Sequence, residues 1–139
     1  MQVLTRTVEI HTKGFMEMLD VTSHARKLLD DTGATSGSLT CFIPGSTAGL
    51  TTIEFESGAL ADLKDAIERI APQDLHYNHD ARWGDGNGFA HVRAALLGPS
   101  LTIPVVNGAL MLGTWQQVLL IDFDNRPRNR ELLLQFIGE

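Results

Sequence analysis

The chain has 139 residues, 43% of them hydrophobic and 20% charged, with a net charge of -6. This balance fits a single globular domain over residues 1–139 and excludes a disordered chain. It also argues against a nucleic-acid partner, because phosphate backbones are held by basic faces. No apolar run approaches the roughly 20 residues that span a bilayer, so no membrane partner is expected. The opening "MQVLTRTVEIHTKG" lacks the apolar core of a secretion signal, and the single cysteine, Cys41, has no partner for an internal disulfide. Together these features point to the cytoplasm.

In chain order, "QVLTRTVEIHT" alternates and is rich in β-branched residues, which predicts a strand broken at Gly14. "FMEMLDV" alternates again and is a candidate to pair with that strand. A helical period follows from Ser23, with Val21, Ala25, Leu28 and Leu29 on one face and Gly33 as its end. "SLTCFIP" predicts a strand closed by Pro44 and Gly45, with Cys41 as a buried, inert thiol. "AGLTTIEFE" predicts another strand. "GALADLKDAIERIAP" is an amphipathic helix on Leu60, Leu63, Ile67 and Ile70, stopped by Pro72. The segment "HYNHDARWGDGNG" is too polar and glycine-rich for a regular element. "GFAHVRAALLG" is a short helix ended by Gly98, with Asn87 placed to cap its start.

"SLTIPVV" predicts a strand with Pro104 at an edge or bulge, and Asn107–Gly108 is a strong hairpin signal. "ALMLGTWQQVLLIDFD" predicts one long strand, bulged at Gly113, on which Trp115 and Gln116 point to opposite faces. Trp115 is then expected in the core. "NRPRNR" is a turn before a last strand, "ELLLQFIG". Strands dominate without regular βαβ alternation, which predicts an α+β fold with a largely antiparallel or mixed sheet and about three helices.

Chemistry-bearing residues concentrate in "HYNHDARWGDGNGFAH". His79, Asp85 and His91 are of the ligand types that divalent cations such as Zn2+ or Mg2+ take, and Asn87 lies among them. His76 and His79 would face opposite ways in an extended segment. A polar surface loop is equally compatible with this composition. "PGSTAGLTTIE" offers amides and two hydroxyls, Ser46 and Thr47, suited to an anion, although an ordinary turn has the same composition. Glu54 follows on the same strand. Arg128 and Arg130 in "NRPRNR" suit a phosphate clamp or a solvated hairpin tip.

"STAGLTTIE", "YNHD…DGNGFAH", "LLGPSLTIPVVNGALMLGTWQQ" and "PRNRELLLQFIGE" together resemble the YjbQ-like family, also called secondary thiamine-phosphate synthases. The resemblance covers essentially the whole chain. It implies a single α+β domain assembled as a homotrimer, with polar residues near subunit boundaries and metal associated with histidines. It also implies a weak, metal-assisted coupling of a thiazole phosphate with a pyrimidine diphosphate, releasing pyrophosphate. On the family pattern His79, His91, Glu54, Asp85 and Asn87 are the catalytic candidates. His79, His91 and Asp85 are the metal candidates, and Ser46, Thr47, Trp115, Gln116, Arg128 and Arg130 bind ligand or phosphate. Many members carry histidine where this chain has Gly45, which leaves one nitrogen donor fewer. The alternative is a non-catalytic trimeric protein that binds a small phosphorylated metabolite.

Overall fold

A computed structural model describes residues 1–139. Its elements are β1 (Gln2–Thr12), β2 (Glu17–Asp20), α1 (Thr22–Thr32), β3 (Ser36–Phe42), β4 (Ala48–Ile53), α2 (Ser57–Ile70), α3 (Asn78–Trp83), α4 (Gly88–Leu97), β5 (Ser100–Val106), β6 (Ala109–Leu110), β7 (Gln117–Asp122) and β8 (Arg128–Gly138). They form a five-stranded sheet ordered β1-β8-β3-β5-β6 and a three-stranded sheet ordered β2-β7-β4. Every pairing is antiparallel. The expected α+β class holds, with α1, α2 and α4 as the three substantial helices and α3 as a short fourth. No helix is long and apolar enough to cross a membrane.

The central strand β7 explains the layering. Its run "VLLI" is apolar on both faces, as in a strand buried on both sides. Val118 and Leu120 join the larger core with Leu39, Cys41, Leu132, Leu134 and Phe136 of the large sheet and with Leu28 and Leu29 of α1. Leu119, Ile121 and Phe123 turn the other way and pack on Phe89, Ala90 and Ala94 of α4, with Leu60, Leu63 and Ile67 of α2 beside them. The small sheet is therefore the middle layer between the large sheet and the helices.

Four sequence expectations are corrected. "FMEMLDV" does not pair with the first strand: β2 pairs with β7, and β1 pairs with β8 along its whole length. The long strand over residues 109–124 is two strands in different sheets, β6 and β7, because the chain turns at Gly113–Gln116. The Gly113 amide donates to the Gln116 side-chain carbonyl and closes that turn. Trp115 is consequently 72% exposed rather than in the core. The polar segment after Tyr77 contains helix α3, ended by Gly84. Pro104 does lie on a largely open edge, since β6 covers β5 only at Val105 and Val106.

Cys41 is fully buried, and burial pushes its thiol up to about 12. In the folded protein at pH 8 it should therefore stay unmodified by a thiol-specific disulfide reagent, and react at once in denaturant. Rapid labelling of the native state would contradict the packing described above.

Candidate functional site

Three consecutive segments bring the histidine-bearing residues together. Helix α3 presents His79 and Asp80, the loop after Gly84 presents Asp85, and the start of α4 presents Asn87 and His91. The Asp80 carboxylate accepts from the Gly88 amide at 2.8 Å and ties α3 to α4. Gly88 must be glycine here, because a Cβ would come within 2.6 Å of the Tyr77 Cβ. The Tyr77 hydroxyl in turn donates to the Pro72 carbonyl, so the segment is anchored at both ends.

His79 Nδ1 lies 3.3 Å from an oxygen of Asp80 and 3.3 Å from one of Asp85. The ligand atoms of these three residues all fall within 4.8 Å of one another. The His91 ring centroid is 4.3 Å from that of His79. Burial, and then the neighbouring His79, hold His91 below the usual imidazole range, which favours the neutral ring with a free lone pair. Imidazole and carboxylate donors of this kind fit a divalent cation such as Zn2+. Sequence reasoning named His79, His91 and Asp85 as the metal group. The structure brings Asp80 into the tight cluster and leaves His91 beside it.

These groups open on a cleft of about 380 Å³ lined by Gly45, Ser46, Thr47, His79, Trp83, Asp85, Asn87, His91, Arg128 and Arg130. Beneath it lies a buried polar network. Arg130 donates from Nε to Asp122 Oδ2 at 2.7 Å, and from Nη2 to Asp122 Oδ1 at 2.9 Å and to the Thr47 hydroxyl at 2.7 Å. Thr12 donates its hydroxyl to the same Asp122 carboxylate. Arg128 and Thr47 donate to Asp124 Oδ2, at 2.8 and 2.9 Å. Arg130 Nη1 is the free end of the guanidinium: it makes no protein hydrogen bond and faces Gly45, where a Cβ would approach it to 3.1 Å.

Asn87 does not cap α4 with its side chain. Its Nδ2 donates instead to Asp124 Oδ1 at 3.2 Å, and its Oδ1, in a residue only 6% exposed, has no donor. A buried acceptor left open costs about 1–3 kcal/mol unless something outside the chain satisfies it. The orphan oxygen thus supports the fit of a cation, or of a ligand's N–H or O–H, beside His79 and Asp85.

Burial raises the Asp124 carboxyl, but hydrogen bonds from Asn87, the Asn125 amide, Thr47 and Arg128 outweigh it and hold it near 2. A depressed folded value means that the stabilisation is complete above the unfolded value of 3.8 and is lost as pH falls toward about 2. Unfolding free energy measured by urea denaturation should therefore drop by about 2 kcal/mol from this group across that interval. Asp124→Asn should flatten the acid limb, and an unchanged slope would refute the assignment.

Glu54, Trp115 and Gln116 lie elsewhere in the chain. Glu54 follows β4 at the end opposite Thr47, roughly 20 Å away along an extended strand. It lines a pocket with Asp20, Phe55, Glu56 and Trp115. Gln116 donates to Thr52 and accepts from Gly113, closing its own turn. His76 lines neither that pocket nor the histidine cleft. Sequence reasoning missed Asp80, Asp122 and Asp124. The signal for the last two was present: two acids, two residues apart, in the apolar run "VLLIDFD". Acids in a strand buried on both faces must be paired.

Fold and site together define a two-sheet α+β protein with a histidine–carboxylate cleft over a buried Arg–Asp network. The chain belongs to the UPF0047 protein YjbQ-like family, whose model matches residues 6–139. It is 37% identical to a UPF0047 protein of Methanothermobacter thermautotrophicus, over 100% of this chain and 95% of the relative. It is 34% identical to the UPF0047 protein YugU of Bacillus subtilis, over 97% of this chain and 100% of the relative. A YbjQ-like protein from Sulfolobus solfataricus superposes with a TM-score of 0.89 at 26% identity, covering 99% of this chain and 100% of that one. A hypothetical protein from Aeropyrum pernix gives 0.85 at 31% identity, covering 96% and 99%.

Proposed function

We propose that the cleft binds a divalent cation together with a small phosphorylated molecule, and that its reaction is a weak transfer releasing pyrophosphate. The charge balance carries this proposal. Asp80, Asp85, Asp122 and Asp124 set four carboxylates against two guanidiniums, Arg128 and Arg130, in and directly beneath the cleft. Two excess negative charges repel a phosphate unless a cation accompanies it. The cation would be held by His79, Asp85 and Asp80, with His91 and the Asn87 carbonyl oxygen adjacent. When bound, such a cation supplies charge neutralisation at a leaving diphosphate.

In the thiamine-phosphate synthase-like reaction a thiazole nitrogen lone pair attacks the carbon that carries the diphosphate. The C–N bond forms as the C–O bond breaks, and the electron pair departs on pyrophosphate. No proton moves, so the site needs no general base. Its tasks are to orient two molecules and to stabilise the leaving group. Arg130 Nη1, which makes no hydrogen bond within the chain, and the Ser46 hydroxyl would hold phosphate oxygens. A cytoplasmic location accords with the single reduced cysteine.

The direct test measures pyrophosphate release from the thiazole phosphate and the pyrimidine diphosphate with Mg2+ or Zn2+ present. Metal-dependent release, lost in Asp85→Asn, is the expected result. Tight binding of the diphosphate with no release would instead mark a binding protein for a phosphorylated metabolite.

Self-assembly as a homotrimer is also proposed. Val3, Phe42, Val106 and Ile137 are exposed on the outer face of the large sheet, where Val3 opposes Ile137. Light scattering should give three times the chain mass, and Ile137→Lys should lower it.

A further inference from the structure

A separate depression of about 450 Å³ lies at the ends of β2 and β4 and the start of β7. It is walled by the rings of Phe55 and Trp115 and by the carboxylates Asp20, Glu54 and Glu56, with no lysine, arginine or histidine. Both rings are exposed. Hydrogen bonds hold them out of the core. The Gln117 side chain accepts from the Phe55 amide at 2.9 Å and donates to the Thr114 carbonyl at 3.3 Å, so one residue spans both ring-bearing segments. Gln116 fixes the turn around Trp115 by accepting from the Gly113 amide and donating to the Thr52 hydroxyl. These contacts keep in water two apolar surfaces that would gain by burial.

The three carboxylates differ in what they have left to give. Both Glu56 oxygens accept from amides of α2, Gly58 at 2.8 Å and Ala59 at 2.7 Å, and Asp20 Oδ1 accepts from the amide and hydroxyl of Thr22. Glu54 is exposed and enters no ion pair. Carboxylates alone hold any cation and discriminate little. An aromatic face adds attraction for a weakly hydrated cation with apolar carbon, because the ring quadrupole is negative there. A small metal ion such as Mg2+ keeps its water and gains little from the rings. We propose that this depression binds an organic cation, a substituted ammonium or guanidinium group, seated against Trp115 and Phe55 with Glu54 as its counter-charge. The site is independent of the histidine cleft and does not rest on the function proposed above.

Heteronuclear NMR of the whole protein at low salt reads the indole N–H of Trp115 apart from that of Trp83, the only other tryptophan. Choline should shift the Trp115 signal saturably and leave Trp83 in place. Dimethylbutanol, the neutral molecule of choline's shape, should bind at least about fivefold more weakly. Trp115→Leu, read from the Phe55 amide, should erase that preference, and Trp115→Phe should keep part of it. Glu54→Gln should weaken choline several-fold. Both positions are exposed, so the melting temperature should hold in all three variants. Acetylated arginine amide separates the sources of the cation: binding tighter than choline indicates a protein side chain, and weaker binding a free small molecule. Equal binding of choline and the alcohol would reduce the site to an apolar patch. Displacement of choline by an equal concentration of Mg2+ would reduce it to an acidic surface. Either result, or a Trp115 signal that no cation moves, overturns the proposal.

Discussion

Replacing Arg130 by methionine should lower the unfolding free energy by about 3–5 kcal/mol, the cost of leaving a buried charge uncompensated. Arg130 is 8% exposed and Asp122 fully buried, and two parallel hydrogen bonds join them. Burial alone would raise the Asp122 carboxyl, yet Arg130 and Thr12 bring it below the ordinary range. Without the guanidinium that balance reverses, and Asp122 must either take up a proton or stay charged in an apolar strand. Thr47 also loses its donor. For a domain of this size the melting temperature should fall by roughly 10–15 °C. The Asp122→Asn/Arg130→Met double variant should recover much of the loss, since removing both charges together is far less costly than removing one. A single variant as stable as the parent, or a double variant at the sum of the two single losses, would show that the pair is not coupled.

The second large effect concerns the cleft. His79→Ala should weaken binding of Zn2+ by about 100-fold or more, because the imidazole lies 3.3 Å from both Asp80 and Asp85 and is the nitrogen donor of that cluster. Asp80→Asn should have a smaller effect: the amide oxygen still accepts from the Gly88 amide, but the charge is gone. Glu54→Gln should leave metal affinity unchanged, since Glu54 lies at the far end of β4. Competition titration against a zinc-binding dye reads all three. Equal losses in the three variants, or none in His79→Ala, would remove the metal role from this cluster.

Much of the fold was legible because hydrophobic period reports burial locally. Val118 to Ile121 read as strand, and the residues of α1, α2 and α4 read as amphipathic or buried helix, from neighbours a few positions apart. What failed was pairing. β2 had the same alternation as any edge strand, and nothing in "EMLD" specifies β7 over β1. Loop closure and the shape of the two cores decide that between distant segments. The Gly113–Gln116 turn failed for a related reason: Thr114, Trp115 and Gln116 have ordinary strand propensity, and only separation of β6 and β7 into different sheets forces the chain to leave the ladder there.

At the site, the sequence by itself determined the supply of chemistry: imidazoles, carboxylates and hydroxyls in two glycine-bearing segments, and arginines just before the last strand. It also determined the family, whose motifs run the length of the chain. Only the tertiary structure decided which of these meet. It joined His79 to Asp80 and Asp85, set Arg128 and Arg130 on buried aspartates rather than in free solvent, and carried Glu54, Trp115 and Gln116 away from the histidines. The physical reason is range. Period and turn chemistry act over a few residues, whereas the charge balance of the cleft depends on Asp122 and Asp124. These reach it from the end of β7 and the residues just after it, more than thirty residues beyond the histidines, and burial obliges them to find partners there.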